Sequence, residues 1–184
     1  MKGCDTILGC EIETIVLRYR DLSSKNTIKI HNDKIASKGF VWWGWWAKSG
    51  EIFPSQELGI AAEKSTQIYF FDSGLLKFYK AELKEVYSSA AGDIKKKAPE
   101  DGSRTPEYYN KNELLGWLKI SNISDVTDGD ILKQFTYTSF DSLFPGSKDL
   151  DEQLFNKVVF SATELKKQDR TIWKVRPAID SDLQ

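Results

Sequence analysis

Phe40-Val41-Trp42-Trp43-Gly44-Trp45-Trp46 is the stretch on which the reading of this chain turns. Consecutive bulky aromatic residues suit a pleated surface, so the run is expected to be a strand. Successive side chains of a strand face opposite sides. Val41, Trp43 and Trp45 then share one face, and Trp42 and Trp46 share the other with Gly44 between them. Residues two apart on a strand are separated by about 6.6–6.8 Å, close to the gap in which a flat ring stacks between two others. Trp43 and Trp45 are therefore candidates to sandwich a base. Trp42 and Trp46 stand about twice as far apart, with Gly44 as an open floor between two walls. One face can be core and the other a pocket. For any single ring, burial in the core or in a subunit interface is the competing reading. Each buried indole N–H wants a partner, so filling both faces is costly, which favours leaving at least one ring in a groove.

Working outward, Thr14–Arg20 (TIVLRYR) reads as a core strand that sets Arg18 and Arg20 on a common face. There they can meet a phosphate or carboxylate beside the aromatic groove, or pair at the surface with acids such as Asp21. Asp21–Asn26 is a polar turn, and Thr27–Lys38 is a modestly amphipathic helix stopped by Gly39. Pro54–Lys64 reads as a short helix with proline in its first turn. Gln67–Phe71, the turn Asp72-Ser73-Gly74 and Leu75–Tyr87 form a hairpin whose imperfect alternation predicts a bulge. Asp72 and Ser73 at its tip can hydrogen-bond a ligand edge, although turn chemistry explains them equally well. Ser88–Thr105 is a composition shift containing Lys95-Lys96-Lys97, read as a mobile surface loop and not a domain boundary. Leu114–Ile120, Lys157–Ala162 and Thr171–Arg176 are further strands, Ser139–Gly146 is a turn or short helix, and the tail Asp180–Gln184 is frayed. The expected fold is α+β. It is a single domain over residues 1–184, a small and mostly antiparallel β-barrel with two or three short helices on its outside.

Composition narrows the function classes. In 184 residues, 40% hydrophobic and 29% charged side chains make an ordinary globular balance, and no apolar run approaches the roughly 20 residues of a membrane span. No secretory signal is visible, so a cytoplasmic address is expected. With 26 basic and 27 acidic residues the net charge is −1, which argues against coating nucleic acid broadly but not against reading one base. Cys4, Cys10 and His31 are too few and too scattered for a structural zinc site, and the cysteines read as free thiols. No nucleophile elbow, phosphate loop, dinucleotide fingerprint or zinc-protease motif occurs, and His31 reads as a satisfied helix residue. The acid clusters Asp149/Asp151/Glu152 and Asp180/Asp182 read as solvated loop faces. No cofactor or metal is expected, and binding is favoured over catalysis.

The order of elements carries a resemblance. A first strand leads through a helix into the tryptophan–glycine strand, followed by the hairpin "IYFFDSG…KAELKEV", the segment "TPEYY" and the strand "WLKI". This layout, across about Thr14–Ile123, resembles the PUA-like superfamily, especially its EVE, YTH and ASCH branches. The resemblance implies a small β-barrel that reads a modified base through an aromatic cage, with Trp42, Trp43, Trp45, Trp46, Asp72 and Ser73 around the pocket. The usual longer EVE signature is replaced here by VWWGWW, and the last third of the chain has no assignable counterpart. VWWGWW is also similar to a stretch found ahead of calcineurin-like metallophosphoesterase domains in bacterial proteins, which implies an accessory sensor domain. No ligand motif of those enzymes is present, so their activity is not carried over.

The expectation is a module that binds a nucleotide, or a modified base in nucleic acid, by tryptophan stacking, with Arg18, Arg20 or loop lysines orienting phosphate. The alternative is a protein-interaction module whose exposed indoles are hot spots for a partner chain.

Overall fold

The first strand of the computed structural model, β1 (Thr14–Tyr19), leads into helix α1 (Thr27–Lys38) and then strand β2 (Val41–Trp45). Helix α2 (Ser55–Glu63) and the hairpin of β3 (Gln67–Asp72) and β4 (Lys77–Ser88) follow. Then come β5 (Lys96–Lys97), a short 3₁₀ turn at Glu100–Gly102, β6 (Glu113–Leu114), β7 (Gly116–Asp125), β8 (Phe135–Tyr137) and β9 (Ile172–Pro177). Residues 14–21, 26–48, 50–64, 67–126, 135–137 and 171–177 are described. The expected elements at Ser139–Gly146 and Lys157–Ala162, the tail, both cysteines and the acid clusters at 149–152 and 180–182 lie outside them.

Local chemistry accounts for the element ends. The Asn26 side chain caps α1 by accepting from the Lys29 N–H at 3.0 Å, and Gly39 closes it at φ 87°. A left-handed residue there is most easily a glycine. Both helices fall within a residue of their expected bounds. The bulge expected in the returning strand is present as two register shifts against β7, between Lys80 and Glu82 and between Leu83 and Glu85.

Seven strands form one sheet in the order β2-β7-β4-β3-β1-β9-β8. All neighbours are antiparallel except β1 and β3, which run parallel, with α1, β2 and α2 lying between them in sequence. The sheet curls but does not close, so the expected barrel is corrected to an open half-barrel with two α-helices among the described residues. On a flat sheet β1 and β2, four places apart, would stand about 19 Å from each other. Instead the Tyr19 and Trp43 rings meet edge to face at 5.4 Å. A parallel first pairing and a blocked edge explain the open form.

The blocked edge is that of β2. Its outward amides are already taken: Trp42 N–H donates to the Arg104 carbonyl at 2.8 Å and Gly44 N–H to the Tyr109 hydroxyl at 3.3 Å. No further strand can pair there. The donors' partners come from the segment after β4, which is laid over the outer face of the sheet. Trp42, Ala98, Tyr109, Leu114 and Trp117 form a small apolar cluster beneath it. Gly44 is what lets this cover approach. A Cβ at that position would stand 2.4 Å from Leu114, 2.8 Å from Trp117 and 2.9 Å from Tyr109.

The inner face holds the main core, with Trp43 at its centre. Its ring stacks on His31 at 4.0 Å and on Phe70 at 4.0 Å. His31 is fully buried, and its Nδ1 lies 2.7 Å from the Thr27 carbonyl oxygen. A carbonyl only accepts, so Nδ1 carries the proton and Nε2 is the acceptor. The Tyr109 hydroxyl, 2.6 Å away, donates to it. Trp43 and Gly44 face opposite sides of β2, so this bond wraps around the free edge and ties the two clusters together.

Two outcomes follow. Gly44→Ala should destabilise the fold by about 1–3 kcal/mol in urea unfolding, the usual cost of overpacking; no loss would mean that the cover gives way freely. Burial lowers the His31 pKa to about 3. The unfolded chain, at about 6.5, takes up that proton first. Stability is therefore complete above about pH 6.5 and falls towards pH 3 by up to about 1.4 kcal/mol per unit from this group. Unfolding midpoints should drop less steeply with acid in His31→Gln than in the unaltered protein; equal slopes would contradict the assignment.

Candidate functional site

Because the sheet stays open, the C-terminal ends of β1 and β2 face one another across a cleft of about 530 Å³. Small-molecule sites span roughly 300–1,000 Å³. Strand β1 supplies Leu17, Arg18, Tyr19 and Arg20, and β2 with its continuation supplies Trp43, Gly44, Trp45, Trp46 and Lys48. Thr27 of α1, Ser73 of the β3–β4 tip, Tyr108, Tyr109 and Thr171 complete the walls. Six of these side chains are aromatic.

The walls are held from behind by a buried carboxylate. Glu51, 8% exposed, accepts the Lys48 N–H at 2.7 Å, the Thr171 N–H at 3.0 Å and the Thr171 hydroxyl at 2.9 Å. That arrangement fastens the turn carrying Trp46 and Lys48 to the start of β9. Thr171 in turn accepts the Arg18 N–H at 2.6 Å. Opposite, the Ser73 N–H and hydroxyl both donate to the Tyr19 carbonyl, at 2.9 and 3.3 Å. β1, the Trp46–Lys48 turn, Thr171 and the hairpin tip are thus joined by polar contacts of the backbone.

Arg18, Arg20 and Lys48 bring three cations to the lining, and no Asp or Glu is among the described residues that form it. The tyrosines do not offset that charge. Burial, reinforced by the Asp72 carboxylate, pushes the Tyr19 phenol far up, and burial raises Tyr108 to about 12 and Tyr109 well above its ordinary value. All three are neutral phenols at neutral pH. The cleft thus joins aromatic walls to three cationic side chains, which suits a flat ring attached to an anion. Among the described residues no three of His, Cys, Asp or Glu converge as metal ligands would.

The eight residues singled out from the sequence separate into three groups. Arg18, Arg20, Trp43, Trp45, Trp46 and Ser73 come together on the cleft. Trp42 points to the opposite face, 4% exposed in the outer cluster, with its Nε1 lacking a hydrogen-bond partner among the described residues. Asp72 is 1% exposed and serves the hairpin turn, its Oδ1 accepting the Gly74 and Leu75 amides at 2.8 and 3.2 Å. The sandwich expected between Trp43 and Trp45 is corrected: both faces of Trp43 are covered, by His31 and Phe70. The open floor at Gly44 is corrected too, since Leu114, Trp117 and Tyr109 fill the space beyond it. Trp45 is buried against Phe53, and its Nε1 has no hydrogen-bond partner among the described residues. Trp46, 55% exposed, is the most exposed indole among the described side chains.

Nothing in the local sequence singles out Tyr19 or Lys48. Tyr108 and Tyr109 lie in "TPEYY", some way along the chain from the tryptophans, and only the wrapping of that segment around β2 brings them in. The signal available was the pair of adjacent tyrosines in a polar stretch, where a solvated loop has no need of them.

No curated protein and no solved structure matches the chain. A family model described as Pua-like matches residues 15–184. That span covers the sheet, the cleft and every residue that lines it. The chain belongs to the Pua-like family.

Proposed function

We propose that the chain binds a nucleobase, ordinary or modified, in this cleft. The base stacks on Trp46, and Arg18, Arg20 and Lys48 meet its phosphate. Membership of the Pua-like family points to nucleic-acid or nucleobase recognition in general. The observation that carries the finer reading is the combination in one cleft of aromatic walls and three cations, with no carboxylate among the described lining residues. Stacking a base on an aromatic side chain contributes about 1–3 kcal/mol. Guanidinium groups add a directed contact to phosphate oxygens that an ammonium alone does not. The Ser73 hydroxyl, which donates to the Tyr19 carbonyl, keeps an acceptor oxygen on the wall with which the edge of a ring can be distinguished. Trp46 stands in a concavity and not on a flat patch, which favours a small flat group over a protein surface.

Intrinsic fluorescence, titrated with nucleotides and with short oligonucleotides carrying ordinary or methylated bases, tests this. A saturable quench is expected, weakened about tenfold or more in Trp46→Ala, in keeping with loss of one stacking platform. Trp42→Ala should lower stability and leave affinity per folded molecule unchanged. A flat response to the whole panel, or equal affinity in Trp46→Ala, would overturn the reading and turn attention to protein partners.

Arg20, exposed and with no ion pair among the described residues, gives a second test. Arg20→Gln should reduce the salt dependence of oligonucleotide binding by about one unit of slope, as removal of one phosphate contact does. An unchanged slope would remove Arg20 from the phosphate site.

A further inference from the structure

Tyr108 lines more than the cleft. It also lines a second groove of about 460 Å³, between α1 and the segment that covers the edge of the sheet. From α1 come Ile30, Asp33, Lys34 and Ser37, spaced so that they share one face of the helix. Thr27, which lines the cleft, stands one turn before Ile30 on that same face. Pro106 and Glu107 form the other bank. Cleft and groove are therefore neighbours along one stripe of α1, and Tyr108 is common to both. The shared ring is firmly held. The Tyr109 amide closes a turn on the Pro106 carbonyl at 3.2 Å, and the Tyr108 ring packs edge to face on Tyr109 at 4.5 Å. Tyr109 is itself anchored to Gly44 and His31.

The two spaces differ in chemistry. The cleft carries three cations, whereas the charges at the groove offset one another. Asp33 is paired with Lys29 at 2.7 Å, and Glu107 and Lys34 are of opposite sign. Neither a phosphate nor a bare cation gains much there. A neutral flat ring does, because Ile30, Pro106 and Tyr108 give it apolar surface. The polar atoms of the groove are mostly acceptors. The Asp33 and Glu107 carboxylates only accept, and the Ser37 hydroxyl, which donates to the Lys34 carbonyl at 3.2 Å, keeps an acceptor oxygen. The Lys34 ammonium is directed to the Ser103 carbonyl at 3.5 Å. Such a rim suits a ring that donates. Adenine, cytosine and guanine carry an exocyclic amino group, where uracil and thymine carry carbonyls.

We infer that the groove holds the base next to the one in the cleft, and that it prefers a neighbour bearing an exocyclic amino group. This rests on the nucleobase reading of the cleft and adds a second position to what is read. The spacing fits. Along α1, Ile30 and Asp33 lie about 4.5 and 9 Å beyond Thr27. Stacked neighbours in a strand are only about 3.4 Å apart. Two bases so placed are parted, and the Tyr108 ring stands in the gap between them. The phosphate that joins them stays with the cations of the cleft, clear of Asp33 and Glu107.

The experiment measures fluorescence anisotropy of end-labelled DNA and RNA pentanucleotides. Each carries one central base, ordinary or methylated, between cytosines, between thymines or uracils, or between abasic spacers. For the central base that binds tightest, cytosine flanks should bind about tenfold tighter than abasic ones and about fivefold tighter than thymine or uracil flanks. Glu107→Met should erase the preference for cytosine over thymine or uracil. Ser37→Phe, which fills the groove, should bring every flank to the abasic level and leave abasic-flanked binding as it was. Both positions are exposed, so folding is preserved; melting curves check this. Equal affinity for the three kinds of flank, or a preference that both variants keep, overturns the groove subsite, while weakened binding in Trp46→Ala leaves the cleft reading standing. An oligo-arginine peptide that binds and is lost in Ser37→Phe, with the flanks immaterial, overturns it too and gives the groove to a protein. If Trp46→Ala leaves every affinity unchanged, or no oligonucleotide binds, the cleft reading falls and the groove subsite with it.

Discussion

The hydroxyl of Tyr109 holds the free edge of β2, and the shape of the site depends on it. It accepts from Gly44 on one side of the strand's edge and donates to His31 on the other. A bare edge invites pairing with another strand or another chain. Capping it with a side chain removes that option without adding a strand, and so leaves the curled sheet open. Each of these buried hydrogen bonds contributes about 1 kcal/mol net, but breaking one strands a partner at a cost of about 1–3 kcal/mol. His31, Tyr109 and Gly44 therefore act as a unit, and the stacking of His31 on Trp43 carries that unit into the core.

The seam that remains open is the cleft. A closed barrel would have joined β2 to its far neighbour and filled the space now bounded by Tyr19, Trp45 and Trp46. The tryptophans divide the labour along one strand. Trp43 is the centre of the core stack, Trp42 anchors the cover on the outer face, Trp45 is a buried wall, and Trp46 emerges just past the end of β2, more than half exposed. On the proposed reading, the strand that builds the core also positions its own stacking platform, so the platform is as rigid as the core behind it.

Much of this was legible in the sequence where local chemistry decides. Asn26 and Gly39 mark the ends of α1, the alternation fault marks the bulges in β4, and the tryptophan run marks β2. The concentration of candidate residues on β1 and β2 was legible too, since six of the eight meet at one cleft. What was not legible depends on contacts distant in sequence. Period-two alternation says which side chains share a face but not which face is covered, so Trp43 looked like a sandwich wall and Gly44 like an open floor. His31 and Phe70 settle the first by stacking on Trp43, and the return of Tyr109, 65 residues beyond Gly44, settles the second. The parallel pairing of β1 with β3 is equally invisible locally, because nothing in either strand records its partner's direction.

The most direct test of the central claim uses the indole N–H signals of the six tryptophans in a nuclear magnetic resonance titration with an oligonucleotide. Each signal reports its own surroundings, so the cleft and the outer face are read in one experiment. The account predicts that Trp46 and Trp45 shift in a saturable way while Trp42 and Trp117, behind the sheet, stay in place. Saturable shifts at Trp42 and Trp117 with none at Trp46, or no shift at any of the six, would contradict it.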